Sequence, residues 1–224
     1  MDFEHLREAM VRDQIAARGI RDQRVLQAFR TVPREAFLPA DLRKYAYEDG
    51  PLPIGEDQTI SQPYIVALMI EALNLGPSSR VLDVGTGSGY AAAVLSRIAA
   101  EVYSIERVGV LAVQAEQALA RLGYDNIHIV QGDGSLGWPD HAPYDGIVVA
   151  AGSPDIPQAL VDQLAGDACL VLPVGDSARL QELLRLCRSL TGEVTRESLG
   201  GVRFVPLIGE KGWRNGDGRP LGGT

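Results

Sequence analysis

Three carboxylates and one serine are spaced along this chain as if to serve a single ligand. Asp83 punctuates the apolar run Val81, Leu82 and Val84 and stands two positions before the first of three alternating glycines, Gly85, Gly87 and Gly89, in Arg80-Val-Leu-Asp-Val-Gly-Thr-Gly-Ser-Gly-Tyr90. Glu106 follows at the end of a second apolar run, and Asp133 lies between Gly132 and Gly134. Ser61 sits in Gln58-Thr-Ile-Ser-Gln-Pro-Tyr64. Alternating glycines let a backbone turn tightly and approach a ligand with no Cβ in the way. The dinucleotide fingerprint is G-x-G-x-x-G with a pyrophosphate on the helix N-terminus. Here the spacing is one residue shorter and an acid precedes it. A carboxylate at that point repels a phosphate and suits a cation.

S-adenosylmethionine (AdoMet), with its ammonium and sulfonium, is such a cation. The glycine loop with its leading acid resembles the first motif of the AdoMet-dependent methyltransferases. Glu106 is then placed to accept both ribose hydroxyls, and Asp133 to accept a hydrogen bond from the adenine amino group. Each residue also has a plainer role open to it. The loop could serve the fold alone, Glu106 could be a polar strand end, and Asp133 a turn aspartate. Ser61 could cap the helix that begins at Pro63.

These residues need a scaffold that gathers them. From Arg80 the chain alternates regularly. Apolar strands are expected at Arg80–Val84, Glu101–Ile105, Ile127–Gln131, Ile147–Ala150 and Cys169–Pro173. Helices are expected at Tyr90–Ile98, Val110–Leu122 and Pro157–Leu164. Near-continuous apolar strands between helices predict an α/β fold with a doubly wound, mostly parallel sheet. Its ligands bind beyond the carboxyl ends of the strands, where Gly85–Gly89, Glu106, Gly132–Gly134 and Ala150–Gly152 all fall. Leu180–Leu190 and Glu193–Val205, around Thr191-Gly192, predict a C-terminal antiparallel hairpin. Before the sheet, apolar positions from Phe3 to Ile15 and from Val25 to Phe29 predict two helices, the second capped by Asp22 and stopped by Pro33. Pro51, Pro53 and Gly55 argue against regular structure there. The expected layout is one domain over 1–224. It comprises a helical arm and active-site loop (1–60), a core sheet (80–207) and a flexible glycine-rich tail (209–224).

Composition narrows the function. The chain has 224 residues, 29 acidic and 21 basic, for a net charge of −8. A nucleic-acid backbone calls for a basic face, so no nucleic-acid partner is expected. No apolar run is long enough to cross a membrane, and the start, Met1-Asp-Phe-Glu-His5, does not resemble a signal peptide. Cys169 and Cys187 lie in apolar runs and read as buried free thiols, which points to the cytoplasm. His5, His128 and His141 have no metal-ligand spacing, so no metal is expected. A monomer is the default.

The chain resembles the bacterial protein-L-isoaspartate O-methyltransferases from about residue 5 to 213. The resemblance rests on Pro51–Gly55, Gln58–Tyr64, Asp83–Tyr90, Val102–Glu106, Gly132–Gly134, Gly137-Trp138, Ala142–Asp145, Leu172–Gly175 and Val202–Leu207. The Thr59-Ile60-Ser61 stretch and the Phe204-Val205-Pro206-Leu207 ending are its most specific parts. It implies a Rossmann-like methyltransferase fold and methyl transfer from AdoMet to the free α-carboxylate of L-isoaspartyl residues in damaged peptides and proteins. The ester closes to a succinimide that reopens partly to normal aspartate, which is protein repair. It further implies that Ser61 is the active-site serine and that Gln58, Thr59 and Ile60 lie over the cofactor. Asp83, Gly85, Gly87, Gly89, Glu106, Asp133 and Gly134 are then cofactor contacts. Asp83 stands where relatives often carry glutamate, and Val66 where some carry a histidine, so no contact is carried over at Val66. A carboxylate acceptor is ionised at pH 7 and needs no general base. Two other readings fit the same motif. One is a methyltransferase for normal aspartate in a dedicated peptide, which would call for an added substrate domain; the other is a non-catalytic AdoMet-binding module.

Overall fold

The computed structural model describes residues 1–177 and 180–213. In chain order the elements are α1 (Phe3–Met10), α2 (Gln23–Thr31), β1 (Leu52–Gly55), β2 (Gln58–Ile60), α3 (Pro63–Ala72), β3 (Arg80–Val84), α4 (Tyr90–Leu95), β4 (Glu101–Glu106), α5 (Gly109–Arg121), β5 (Ile127–Gln131), β6 (Tyr144–Val149), α6 (Gln158–Asp162), β7 (Leu164–Ser177), β8 (Leu180–Arg188) and β9 (Val194–Val202). The last seven strands form one sheet in the order β5-β4-β3-β6-β7-β8-β9. The first five in that order run parallel, and β7, β8 and β9 are antiparallel. This is the expected doubly wound sheet with its terminal hairpin.

The strand order changes direction between β3 and β6, because β4 lies on one side of β3 and β6 on the other. A crevice opens at such a switch point, beyond the strand ends. One sheet face packs α3, α4, α5 and the arm through Val81, Val102, Leu95 and Leu119. The opposite face is covered thinly, by the short α6 and by an aromatic group. There Tyr103 stacks on His141 with ring centroids 4.3 Å apart and meets Trp138 edge-on at 5.6 Å. Asp145 lies within β6, and its carboxylate accepts the Arg80 N–H at 2.7 Å where β3 begins.

The arm begins as expected. Asp22 caps α2 by accepting the Arg24 N–H at 2.8 Å. After Met10 the first helix widens into a π turn (11–15) and then tightens into a 3-10 turn (16–18) that ends at Gly19, whose φ is 104°. Glu71 of α3 accepts the N–H groups of Arg21 and Asp22, tying the arm down. The buried Arg34 donates to the carbonyls of Ala46 and Gly50. Desolvation holds its guanidinium down to about 10.

Four expectations need correction. Residues 52–60 are regular: β1 and β2 pair antiparallel with Pro53 opposite Thr59. A two-stranded ribbon is all edge, and a proline fits an edge strand. The turn needs positive φ at both central residues, which Glu56 (52°) and Asp57 (54°) adopt. Ser61 does not cap α3; Gln62 occupies that position without a side-chain bond, and Pro63 starts the helix. Cys169 and Cys187 are not free thiols but a disulfide. Sequence could not foresee the β7–β8 register, which puts the two residues directly opposite with Cα atoms 4.1 Å apart. The tail is ordered as far as Trp213, which is buried and donates its indole N–H to the Gly152 carbonyl at 2.8 Å. Glycine content misled there, because one large aromatic anchors the segment. Residues 214–224 of the expected tail lie outside the described residues.

Candidate active site

A cavity of about 400 Å³ opens at the switch point, a size typical of small-molecule sites. Its floor is the β3–α4 loop. Ala150 donates its N–H to the Val84 carbonyl at 2.8 Å, so the ends of β3 and β6 meet beneath the cavity. Gly85 and Gly87 adopt φ of 97° and 53°, conformations that glycine enters without steric cost. A Cβ on Gly87 would come 3.3 Å from Ile54 Cδ1. The β1–β2 ribbon therefore lies against the loop as a lid. The cover comes from this ribbon: every described lining residue is numbered 56 or higher, so α1 and α2 contribute none.

Asp83 is fully buried and lines the cavity. Its Oδ2 accepts the Ser104 hydroxyl at 2.8 Å, and the Ser104 oxygen lies 2.6 Å from that of Thr86. Its Oδ1 has no partner among the described residues. Burial pushes the carboxyl up to about 7, with the Ser104 bond opposing and the nearby Glu106 adding to the rise. An orphaned buried carboxylate oxygen facing a cavity calls for a cation or donor to satisfy it. The ammonium of AdoMet has that chemistry, so the residues present fit the group.

Glu106 lines the same cavity at the end of β4. Its carboxylate accepts the Gly87 N–H and the Val108 N–H, both at 2.8 Å. These bonds fix the side chain between two loops and leave further lone pairs for ribose hydroxyls. Gln58, Thr59, Ile60 and Ser61 all line the cavity from the ribbon side, and Gly134 from the sheet side. No hydrogen bond to the Ser61 hydroxyl is found among the described residues, which leaves it open to a ligand.

Two expected contacts fall elsewhere. Gly89 starts α4 with φ of 88° and packs on Ala115 and Leu119, where a Cβ would come within 3.3 Å of both. It serves helix packing and does not line the cavity. Asp133 is also absent from the lining. Its carboxylate accepts the Ser135 N–H and hydroxyl on one oxygen and the Glu210 N–H, at 2.7 Å, on the other. Conversely, Val66, Met69 and Ile70 of α3 line the cavity, as do Thr86 and Ser88. The α3 residues look like ordinary core in sequence. Phe204–Ile208 form a further wall, visible beforehand only through the family resemblance.

The chain matches the family model of protein-L-isoaspartate(D-aspartate) O-methyltransferase over residues 5–212. A protein-L-isoaspartate O-methyltransferase 1 from Rhodopseudomonas palustris (strain HaA2) is 60% identical over 211 residues, covering 94% of this chain and 86% of its own. A protein-L-isoaspartate O-methyltransferase 2 from Pelobacter propionicus is 58% identical, covering 94% and 93%. Among solved structures, a protein-L-isoaspartate O-methyltransferase superposes with TM-score 0.84 at 31% identity, covering 92% of this chain and 67% of that one. A putative enzyme of the same kind from Plasmodium falciparum, in complex with S-adenosyl-L-homocysteine, gives 0.78 at 26% identity, covering 90% and 98%.

Proposed function

The chain belongs to the protein-L-isoaspartate(D-aspartate) O-methyltransferase family, and from that membership we infer that the cavity transfers a methyl from AdoMet to the free α-carboxylate of L-isoaspartyl residues. The ester then closes to a succinimide, and repair begins. The observation that carries the assignment of residues is the pairing across one cavity of an unsatisfied Asp83 oxygen with an uncommitted Ser61 hydroxyl.

When bound, AdoMet supplies an electrophilic methyl on a positively charged sulfur. In this reading Asp83 holds the ammonium, with Ser104 and Thr86 orienting its carboxylate. Glu106 takes the ribose hydroxyls, pinned by Gly87 and Val108. Gly85, Gly87 and Gly134 let the backbone approach, and Gln58, Thr59 and Ile60 close from above. We retain Asp133 as the adenine-side acceptor, since each carboxylate oxygen has capacity beyond its present bonds. For Gly89 the support is only indirect, through the placement of α4. Ser61 would donate its hydroxyl to the acceptor carboxylate and hold it toward the methyl that AdoMet would supply. No proton moves, so no general base is needed; positioning and exclusion of water carry the rate.

We further propose that the chain works as one domain and as a monomer, with no nucleic-acid partner. Its net charge of −8 supports the last point, and light scattering checks the second. No helix among the described residues is long and apolar enough to cross a membrane. We propose a cytoplasmic location. The disulfide weighs against it, because reducing compartments keep thiols reduced; fractionation with thiol trapping tests both points together.

The decisive assay incubates the protein with methyl-labelled AdoMet and two peptides that differ only in L-isoaspartate or L-aspartate at one place. Base-labile label on the isoaspartyl peptide alone is the expected result. Label on the aspartyl peptide would point to a dedicated modifying enzyme. Binding of AdoMet with no label on either would overturn the repair reading.

A further inference from the structure

Gln181 sits near the start of β8, where strand alternation calls for an apolar side chain. Leu183, two residues on and on the same face, is fully buried. Gln181 is itself only 2% exposed. A buried amide needs partners for both ends, and here both go to one residue. Gln181 Nε2 donates to the Phe204 carbonyl at 3.2 Å, and the Phe204 N–H donates to Gln181 Oε1 at 2.7 Å. The main-chain ladder between β8 and β9 ends with Gln181 opposite Val202. The side chain thus pairs with a backbone residue beyond the end of the ladder, as a neighbouring strand would.

What it pairs with is a wall of the cavity. Phe204, Val205 and Pro206 line it, as do Ala150 and Ala151 beside them. The two walls are joined at Gly152, whose N–H donates to Val205 O and whose carbonyl accepts the Leu207 N–H, both at 2.7 Å. Gln181 lies directly behind that joint: a Cβ on Gly152 would come 2.4 Å from Gln181 Nε2. The cofactor residues Asp83, Glu106 and Gly87 are placed by β3, β4 and the glycine loop, with no bond to Gln181. The segment beyond Leu207 is held in addition by Asp133 and Ser135, which accept the Glu210 and Lys211 N–H groups, and by the Trp213 indole on the Gly152 carbonyl.

We propose that Gln181 is a positioning residue for the acceptor peptide: its amide sets the Phe204–Pro206 wall against which the isoaspartyl chain is held. The inference rests on the proposed function, but the clamp itself can be measured without it.

Hydrogen exchange on the wild-type protein should show the Phe204 amide protected, although it lies past the ladder. Free exchange at Phe204 would overturn the proposal. In Gln181→Leu the Phe204 amide should exchange at least tenfold faster, with the Leu183 and Leu184 amides unchanged. The KM for an isoaspartyl peptide should rise about tenfold, as expected when two buried backbone groups lose their partners. The Kd for AdoMet should stay within twofold. An unchanged KM, or an AdoMet Kd weakened in parallel, would refute the positioning role. Wild-type protein that protects Phe204 but methylates no isoaspartyl peptide would leave the clamp in place and remove its proposed purpose, so the two failures are distinguishable.

Discussion

Asp83 is a carboxyl that folding holds up to about 7 against an ordinary 3.8. The gap is about 3 units, and at 1.36 kcal/mol per unit it amounts to about 4 kcal/mol. The folded protein therefore binds a proton that the unfolded chain has released between about pH 4 and pH 7. Stability associated with Asp83 is fully present below the unfolded value and is lost as pH rises to about 7. Asp83→Asn removes the titration and keeps an acceptor for the Ser104 hydroxyl. Urea unfolding of ligand-free protein from pH 4.5 to 8 should show the wild type losing about 3 kcal/mol relative to the variant, the share of the total that falls above pH 4.5, then levelling off above about pH 7. Other groups titrate equally in both proteins and cancel in the difference. An ammonium beside Asp83 would oppose the rise, so AdoMet binding to the wild type should tighten up to tenfold per unit as pH approaches 7, with a proton released. Calorimetry in buffers of different ionisation enthalpy counts that proton. Parallel stability curves for the two proteins, or binding without proton release below pH 7, would refute the account of Asp83.

Ser61→Ala should lower kcat/KM for an isoaspartyl peptide by roughly ten- to a hundredfold, the worth of one hydrogen bond to a charged group, with the AdoMet Kd unchanged by titration calorimetry. Replacing both Cys169 and Cys187 by alanine opens a loop between residues 18 apart in sequence; it should cost about 3 kcal/mol in urea unfolding, and reduction of the wild type should reproduce the loss. Gly87→Ala forces a side chain into φ of 53° against Ile54. It should weaken AdoMet binding by at least tenfold while circular dichroism stays native, and an unchanged Kd would mean the ribbon can move aside.

The sheet was legible because its strands are unbroken apolar runs between helices, a pattern that burial on both faces imposes. The gathering of Asp83, Glu106 and Gly134 was legible for the same reason: their place at strand ends brings them to one cavity, where we propose the cofactor is held. What escaped depends on contacts between distant parts of the chain. Nothing local to Cys169 says that Cys187 stands opposite; only the β7–β8 register does. Pro53 looked like a breaker because its tolerance at an edge depends on having no third strand. Met69 and Ile70 look like helix core, yet they line the cavity, because α3 follows directly on the ribbon and one side of it faces the site. Gln181 carried a signal of a kind, a polar residue where alternation wanted an apolar one, but its partner lies 23 residues on.

Gly152 is where the middle of the chain meets its later part: its carbonyl takes both the Leu207 N–H and the Trp213 indole. Synthesis runs from the N-terminus, so β3, β4 and β6 emerge and can pair while Gly152 still lacks these partners. On the roles proposed above, a nascent chain that has assembled Asp83 and Glu106 still lacks the wall assigned to the acceptor. It could hold AdoMet before it could use it, and methyl transfer would begin only once Phe204 to Trp213 had docked. Activity would then report completed folding, and AdoMet binding would not.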